Sequence, residues 1–186
     1  MSIQPYLIFI IINVAIFAAP YLLQMDNYQF LSLGWKDNLA IQNGQWYRLV
    51  TSIFLHGDLF HLLFNMYSLY QLGPFFTQVF DRYTNNVNLA FLVVFLVSGI
   101  CGSLLSYFFN LSPSLGASGA IFGLIGALTM FSILNNQTYL LQNFVSIIAI
   151  NLFIGFTDSR IDYFGHIGGL LSGMGLGWLI LVLKFL

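Results

Sequence analysis

The sequence predicts an all-α, polytopic membrane protein with six transmembrane helices and a long interfacial loop between the first two. Hydrophobic residues make up 59% of the 186 residues and charged residues only 6%, whereas soluble domains average about 25% charged residues. The mean hydropathy is +0.86. The uncharged stretches are also about 20 residues long, which is the length a helix needs to cross a bilayer. Helices are expected because backbone polar groups in lipid must be satisfied within each segment.

Charges and polar turn clusters set the limits of the six predicted spans. The spans are residues 3–23, 59–80, 89–109, 115–134, 139–157 and 163–183. The second span is expected to begin earlier than its charge-free stretch, near Ile53. Residues 24–51 are too long and too mixed for a hairpin, and their tyrosines and tryptophans suit the membrane interface. Asn-rich clusters at 85–88 and 135–138, and the turn at 110–114, divide the later spans.

Residues 1–186 are expected to form a single membrane domain. The first apolar run lacks a basic start and the rest of the chain is equally apolar, so we interpret it as a retained span rather than a signal peptide. Six helices place both termini on one side, but five basic residues do not decide which side that is. A net charge of −1 provides no basic field for nucleic acid.

Small residues recur every four positions in the fourth and sixth predicted spans. They are Gly119, Gly123 and Ala127 in one span, and Gly165, Gly169, Gly173 and Gly177 in the other. Such stripes let helix backbones approach closely. We therefore expect these two spans to touch each other.

Polar and ionisable groups inside spans are costly, so each is a functional candidate. Ser118 heads the fourth span and His166 lies among the glycines of the sixth. Together they could act as a nucleophile and its general base. His61 and Asn65 are spaced i, i+4 on one helix face and could donate to an oxyanion, as could the Ser118 backbone N–H. No acidic residue lies within a span, so a dyad is predicted rather than a triad.

Each of these residues also has a plainer interpretation. A membrane serine usually bonds its own helix backbone, and a lone histidine is usually an interhelical contact. Polar amides in spans are more often interhelical contacts than catalysts. A metal site built from His56, Asp58, His61 and His166 is a further alternative, but the spacing does not match a zinc-binding helix and no second carboxylate lies in a span. No metal is expected.

Four short motifs occur in order along the chain. Residues 46–48 form W-x-R, residues 56–65 form H-x4-H-x3-N, residues 116–119 form G-x-S-G, and residues 166–173 form H-x2-G-x3-G. With these motifs on the expected spans, the chain resembles the rhomboid family of intramembrane serine proteases over nearly its whole length. The residues that the resemblance adds in supporting roles are His56, Gly116, Gly119, Phe122, Trp46, Arg48, Gly169 and Gly173.

The resemblance implies an endopeptidase that cleaves transmembrane-helix substrates near the outer membrane face. It implies a Ser118–His166 dyad, an oxyanion site from His61, Asn65 and the Ser118 backbone, and no cofactor. The implied partners are single-span membrane proteins and the lipid bilayer, without nucleic acid and without a required oligomer. The implied location is a bacterial inner membrane, with the first loop in the outer leaflet. The fifth span and the 158–162 loop resemble a mobile lateral gate.

Two positions depart from the family pattern. After the asparagine helix the family often has G-x3-E-x3-G, whereas here Gly73 is followed by Thr77 and Asp81. This departure predicts looser packing of the second span or the first loop. The aromatic residue four positions after the serine is often tyrosine in the family and is Phe122 here, which can stack on His166 but offers no hydroxyl.

Two other functions compete with proteolysis. One is a catalytically inactive rhomboid-like protein that binds membrane clients. The other is a small transporter or channel, suggested by polar groups at span depth. The absence of acidic residues in the spans and of an obvious inverted repeat weighs against transport.

Overall fold

The computed structural model describes residues 4–158 and 161–183, and the regular elements in these two ranges are all helical. The helices are α1 Pro5–Leu22, α2 Asn27–Ser32, α3 Asn38–Gln42, α4 Arg48–Thr51, α5 Leu59–Phe80, α6 Val87–Phe109, α7 Ser118–Leu134, α8 Thr138–Thr157 and α9 Tyr163–Leu183. A 3-10 turn, Ser52–Phe54, follows α4. The all-helical fold predicted from the hydropathy pattern is confirmed.

Side-chain caps begin several of these helices. Asp26, Asp37, Asp58 and Asn86 each accept a hydrogen bond from the backbone N–H three residues further on. These bonds satisfy N–H groups that no carbonyl of the same helix can reach. The caps explain why the helices begin where a polar residue interrupts the apolar run.

The long helices lie where the uncharged stretches predicted them. Four of them, α1, α6, α8 and α9, are long and apolar enough to cross a membrane. The segment Arg48–Phe54 and α5 meet at a bend of 91°, and they form a fifth candidate only if this bent pair counts as one span. Helix α7 is also apolar but is shorter, with 17 residues. The protein is thus a multi-pass membrane protein, and the count of six crossings stays a prediction.

Two predicted helix starts are wrong by a few residues. The second span does not run continuously from Ile53, because the chain bends by 91° and α5 begins at Leu59, capped by Asp58. The fourth span begins at Ser118 rather than at Leu115, because Gly116 has a positive φ of 127° that no helix accommodates. The serine is consequently at the very start of its helix.

Helix α7 is the central helix of the fold. It packs against α5, α6, α8 and α9, and its residues from Ala120 to Thr129 are all buried. A helix that is apolar on all sides belongs in such a position. Its backbone lies directly against α9, because a Cβ atom built on Gly169 would overlap the Gly119 carbonyl, and one on Gly173 would overlap the Gly123 carbonyl. The predicted contact between these two spans is confirmed.

The looser packing expected for the second span stays a prediction, and α5 packs closely on α1 at Gly73. Gly73 of α5 lies so close to α1 that an added Cβ would overlap the ring of Tyr6. Thr77, which replaces the acidic residue of the family pattern, donates from Oγ1 to the Gly73 carbonyl at 2.9 Å. The threonine thus bonds within its own helix and leaves the glycine contact in place.

Candidate active site

Ser118 is the first residue of α7 and follows a tight turn. Gly116 has φ +127° and donates its N–H to the Ser52 carbonyl at 2.9 Å. A Cβ on Gly116 would lie 2.7 Å from both Cε1 and Nε2 of His61. Only glycine suits this turn, both for its backbone angle and for its contact with the imidazole. The turn leaves the Ser118 hydroxyl partly exposed at a helix N-terminus.

We expect Gly116→Ala to lower the free energy of unfolding by roughly 2–4 kcal/mol. The alanine would have to adopt a positive φ, and its Cβ would be pressed against the His61 ring. Gly44→Ala is the matched control. Gly44 also has a positive φ, of 91°, but open space around it, so its alanine variant should cost only roughly 1–2 kcal/mol. The measurement is denaturant or thermal unfolding in detergent micelles. Equal losses for the two variants would contradict the contact with His61.

His61 and Asn65 come from the first two turns of α5 and face the turn that precedes Ser118. The His61 backbone N–H is held by Asp58 Oδ1 at 2.9 Å, and Asn65 Nδ2 donates to the His61 carbonyl at 3.0 Å. The Cβ position of Gly116 is 3.9 Å from Asn65 Nδ2. The i, i+4 spacing thus places both side chains beside one turn, as the sequence predicted.

His166 lies in the first turn and a half of α9 and is 7% exposed. Its ring stacks on that of Phe122, with the centroids 4.3 Å apart and the planes at 8°. Phe122 is four residues after Ser118, so the two share one face of α7. The close approach of Gly119 to the Gly165 carbonyl, at 3.2 Å from the built Cβ, places the starts of α7 and α9 side by side.

The buried Nδ1 atom of His166 has no hydrogen-bond partner in the part of the chain that the structure describes. Stacking on Phe122 therefore fixes the plane of the His166 ring. No described side chain offers Nδ1 a polar partner. The dyad of Ser118 and His166 without an acidic third member stays a prediction.

A small cavity opens beside Ser118. Its volume is about 30 Å³, which exceeds the volume that a single water molecule needs. Its polar lining comes from the hydroxyls of Ser52, Ser103, Ser114 and Ser118 and from Asp162. Glycines of α6, α7 and α9 form much of the remaining wall. The cavity can hold water within reach of the serine.

His56 lies behind His61. It is 1% exposed, and its ring meets the His61 ring edge-on with centroids 5.0 Å apart. His56 thus packs against His61 from the side.

Trp46 and Arg48 lie in the first loop and are not beside Ser118. Arg48 is buried and donates to the carbonyls of Ser32 and Trp35 at 2.8 and 3.0 Å and to Gln45 Oε1 at 2.8 Å. Trp46 is exposed and packs near Tyr107, with centroids 6.1 Å apart. The W-x-R element therefore organises the loop.

Gly169 and Gly173 also act through packing, since they bring α9 against α7 as described above. Among residues 4–158 and 161–183, no three His, Cys, Asp or Glu side chains are grouped so that they could hold a metal ion.

Sequence reasoning missed Asp162, whose side chain lines the cavity with Ser118. Its Oδ1 accepts the Gly165 N–H at 3.1 Å and its carbonyl accepts the His166 N–H at 3.1 Å. An aspartate just before a glycine-rich helical run is an N-cap signal, and that signal was available. Asp162 lies just outside the predicted sixth span, so it is not among the acidic residues that the cost of burial in a span would mark.

The chain matches proteins of one family. A family model described as Rhomboid domain covers residues 43–183. The chain is 43% identical over 146 residues to Rhomboid protease GluP of Bacillus subtilis, covering 77% of this chain and 28% of the relative. It is 38% identical over 157 residues to RHOMBOID-like protein 6, mitochondrial, of Arabidopsis thaliana, covering 81% and 48%.

A third relative is closer to this chain in length. The rhomboid protein YdcA of Bacillus subtilis is 32% identical over 155 residues, which cover 78% of this chain and 75% of YdcA. By contrast, the chain spans less than half of the length of GluP and of the Arabidopsis protein.

Proposed function

The chain belongs to the rhomboid family, and we propose that it is an intramembrane serine endopeptidase with Ser118 as nucleophile and His166 as general base. The substrates are transmembrane helices, cleaved near the outer face of the membrane. His61, Asn65 and the Ser118 backbone N–H supply the oxyanion site.

The observation that carries the proposal is the stacking of the His166 ring on Phe122, one helical turn after Ser118 on the same face of α7. The glycine contacts between α7 and α9 bring the hydroxyl and the imidazole to the same end of the two helices. A base must lie within hydrogen-bonding reach of the proton it removes, and this packing supports that geometry.

The chemistry follows from these positions. Ser118 Oγ attacks the scissile carbonyl carbon while His166 takes the hydroxyl proton, and the protonated imidazole then gives it to the departing amine nitrogen. The Ser118 N–H is at the first position of α7, where no carbonyl of the helix can reach it, so it is free to donate to the oxyanion. Water from the adjacent cavity then hydrolyses the acyl-enzyme.

Access for substrate is supported by the loose packing of α8. Only Phe144 and Gly155 of its 20 residues are buried, so this helix costs little to displace compared with α7. A single-span substrate would approach from the lipid between α8 and the core and unwind at a small residue beside Ser118. Neither a cofactor nor a second copy of the chain takes part in this scheme.

The test is labelling by a fluorophosphonate probe, because only an activated serine reacts with it. We expect the purified protein in detergent or liposomes to label at Ser118, as mapped by peptide mass analysis, and Ser118→Ala to remain unlabelled. Ser146→Ala is the matched control, since Ser146 is an exposed serine on α8 that bonds the Gln142 carbonyl. An unlabelled parent protein that still binds single-span helices would support the inactive client-binding function instead.

A further inference from the structure

Lys36, in the first loop, is fully buried although it is charged. Its Nζ donates to the Asn110 carbonyl at 2.7 Å, to the Ser112 carbonyl at 2.8 Å and to Asn38 Oδ1 at 3.1 Å. An ammonium group has three protons, so each of them has an acceptor. A buried charge is expensive unless it is satisfied in this way, and the mechanism described above gives this lysine no role.

The electrostatics of Lys36 link it to the start of α9. Burial lowers the pKa of the Lys36 ammonium, and the negative charges of Asp162 and then of Asp37 act in the opposite direction. Lys36 and Asp162 do not form a direct ion pair, and Asn110 lies between them. The cation and the anion are thus the two ends of one polar network.

Asn110 is the centre of this network, at the end of α6. Its carbonyl accepts from Lys36 Nζ and, at 3.2 Å, from Asn38 Nδ2. Its Nδ2 donates to Asp162 Oδ1 at 3.2 Å, and its Oδ1 accepts the Ser112 N–H at 3.0 Å. One residue therefore joins three segments: its backbone carbonyl bonds to the first loop, and its side-chain amide bonds to the segment that leads to Ser118 and to the start of α9.

On the serine side, the backbone of Lys36 pairs with Ser114. The Lys36 N–H donates to the Ser114 carbonyl at 2.8 Å, and the Ser114 N–H donates to the Lys36 carbonyl at 3.0 Å. Ser114 is four residues before Ser118, and Gly116 between them is tied to Ser52. The same lysine thus fixes the segment from which α7 begins.

On the histidine side, Asp162 caps α9 through the Gly165 N–H and opens the helix with its own carbonyl, which accepts from His166. The negative charge of the carboxylate also interacts favourably with the positive end of the α9 helix dipole. A shift of Asp162 would move the first turn of α9, and His166 lies in the turn that it controls.

We propose that Lys36, Asn110 and Asp162 form a brace that holds the helix starts carrying Ser118 and His166 in register, which makes all three positioning residues for the reaction. The inference rests on the proposed function. Its physical basis is that Lys36 pairs with Ser114, four residues before Ser118, that the Asp162 carbonyl accepts the His166 N–H, and that both ends bond to one residue, Asn110.

The test compares rate constants of fluorophosphonate labelling. The rate constant is taken from the full time course, so that an unfolded fraction changes the amplitude and leaves the rate constant of the folded protein unchanged. We expect Asp162→Ala and Lys36→Met each to lower it by about 10- to 100-fold, because small misplacements of reacting groups have effects of this size. Asp162→Asn should stay within about threefold of the parent, because asparagine keeps the capping oxygen and the acceptor for Asn110.

Asp26→Ala is the matched control. Asp26 caps α2 by the same hydrogen bond, to the Gln29 N–H at 2.9 Å, but has no link to the dyad. Its alanine variant should lose a similar amount of thermal stability and keep the parent rate constant. Lys36→Met tests the brace by a second labelling rate constant without changing a residue of α9. The test therefore remains valid even if the Asp162→Ala protein does not fold.

The outcomes separate the two proposals. A parent protein that fails to label contradicts the proposed function. A parent that labels, with parent-like rate constants in both Asp162→Ala and Lys36→Met, contradicts the brace alone. A loss in Asp162→Asn as deep as in Asp162→Ala also contradicts it, since hydrogen bonds would then not carry the effect.

Discussion

Replacing Ser118, His166 or both by alanine is expected to lower the rate of substrate cleavage by the same large factor, on the order of 10³ or more. A nucleophile and its base act as one unit, so removing either member abolishes the step that needs both. The oxyanion donors and the binding surface remain in every variant and set the same residual rate. The double variant should therefore be no slower than either single variant.

The measurement is the initial rate of cleavage of a single-span substrate, reconstituted with the protein in liposomes. Ser146→Ala, on the exposed face of α8, should retain the parent rate.

Phe122→Ala is expected to give a cleavage rate between that of the parent and those of the dyad variants. It removes the surface on which His166 stacks at 4.3 Å but no reacting atom, so it should reduce the rate by less than the dyad variants. Single-variant losses that multiply in the double variant would show that Ser118 and His166 act independently.

The sequence was sufficient for the helices because their main determinant is local. A run of uncharged residues of bilayer length predicts a helix without knowledge of its neighbours, and α1, α6, α8 and α9 follow that rule. The bend before α5 was not predictable in this way. Residues 53–55 are apolar and 56–58 are not, but the sharp bend at this point depends on the Asp58 cap and on the turn at Gly116 that packs nearby.

The close packing of the two helices that carry the proposed dyad could also be predicted, because the small-residue stripes beside Ser118 and His166 indicate which helices touch. The stripes specified that α7 and α9 pack closely, and Ser118 and His166 are near the same ends of those stripes. Composition alone would not have shown the stacking of His166 on Phe122, because the stacking depends on how each of the two helices is oriented about its own axis.

The polar network was beyond the reach of the sequence pattern. Lys36 belongs by its charge to an exposed loop, and its burial depends on carbonyl groups 74 and 76 residues away in the chain. No periodicity connects residues so distant. The same holds for Asn110, whose sequence context indicates only a turn, although its side chain and carbonyl join three segments.

Gly169→Ala is expected to be strongly destabilising, although it adds only one methyl group. An added Cβ would overlap the Gly119 carbonyl, which is helix backbone and cannot rotate aside. The two helices would have to separate, at a cost of about 3 kcal/mol or more. Because Gly119 directly follows Ser118 and Gly169 is one turn after His166, the separation should also slow fluorophosphonate labelling of the protein that remains folded.

Gly175→Ala, on the same helix, is the matched control. Nothing lies within 4 Å of its built Cβ, so the change should be neutral or slightly stabilising, by up to about 1 kcal/mol, through the higher helix propensity of alanine. The measurement is unfolding of each variant in mixed micelles of increasing SDS fraction. A Gly169→Ala protein as stable as Gly175→Ala would mean that α7 and α9 are not in backbone contact. The placement of the imidazole beside the serine would then lose its support, because that placement depends on the absence of a side chain at this position.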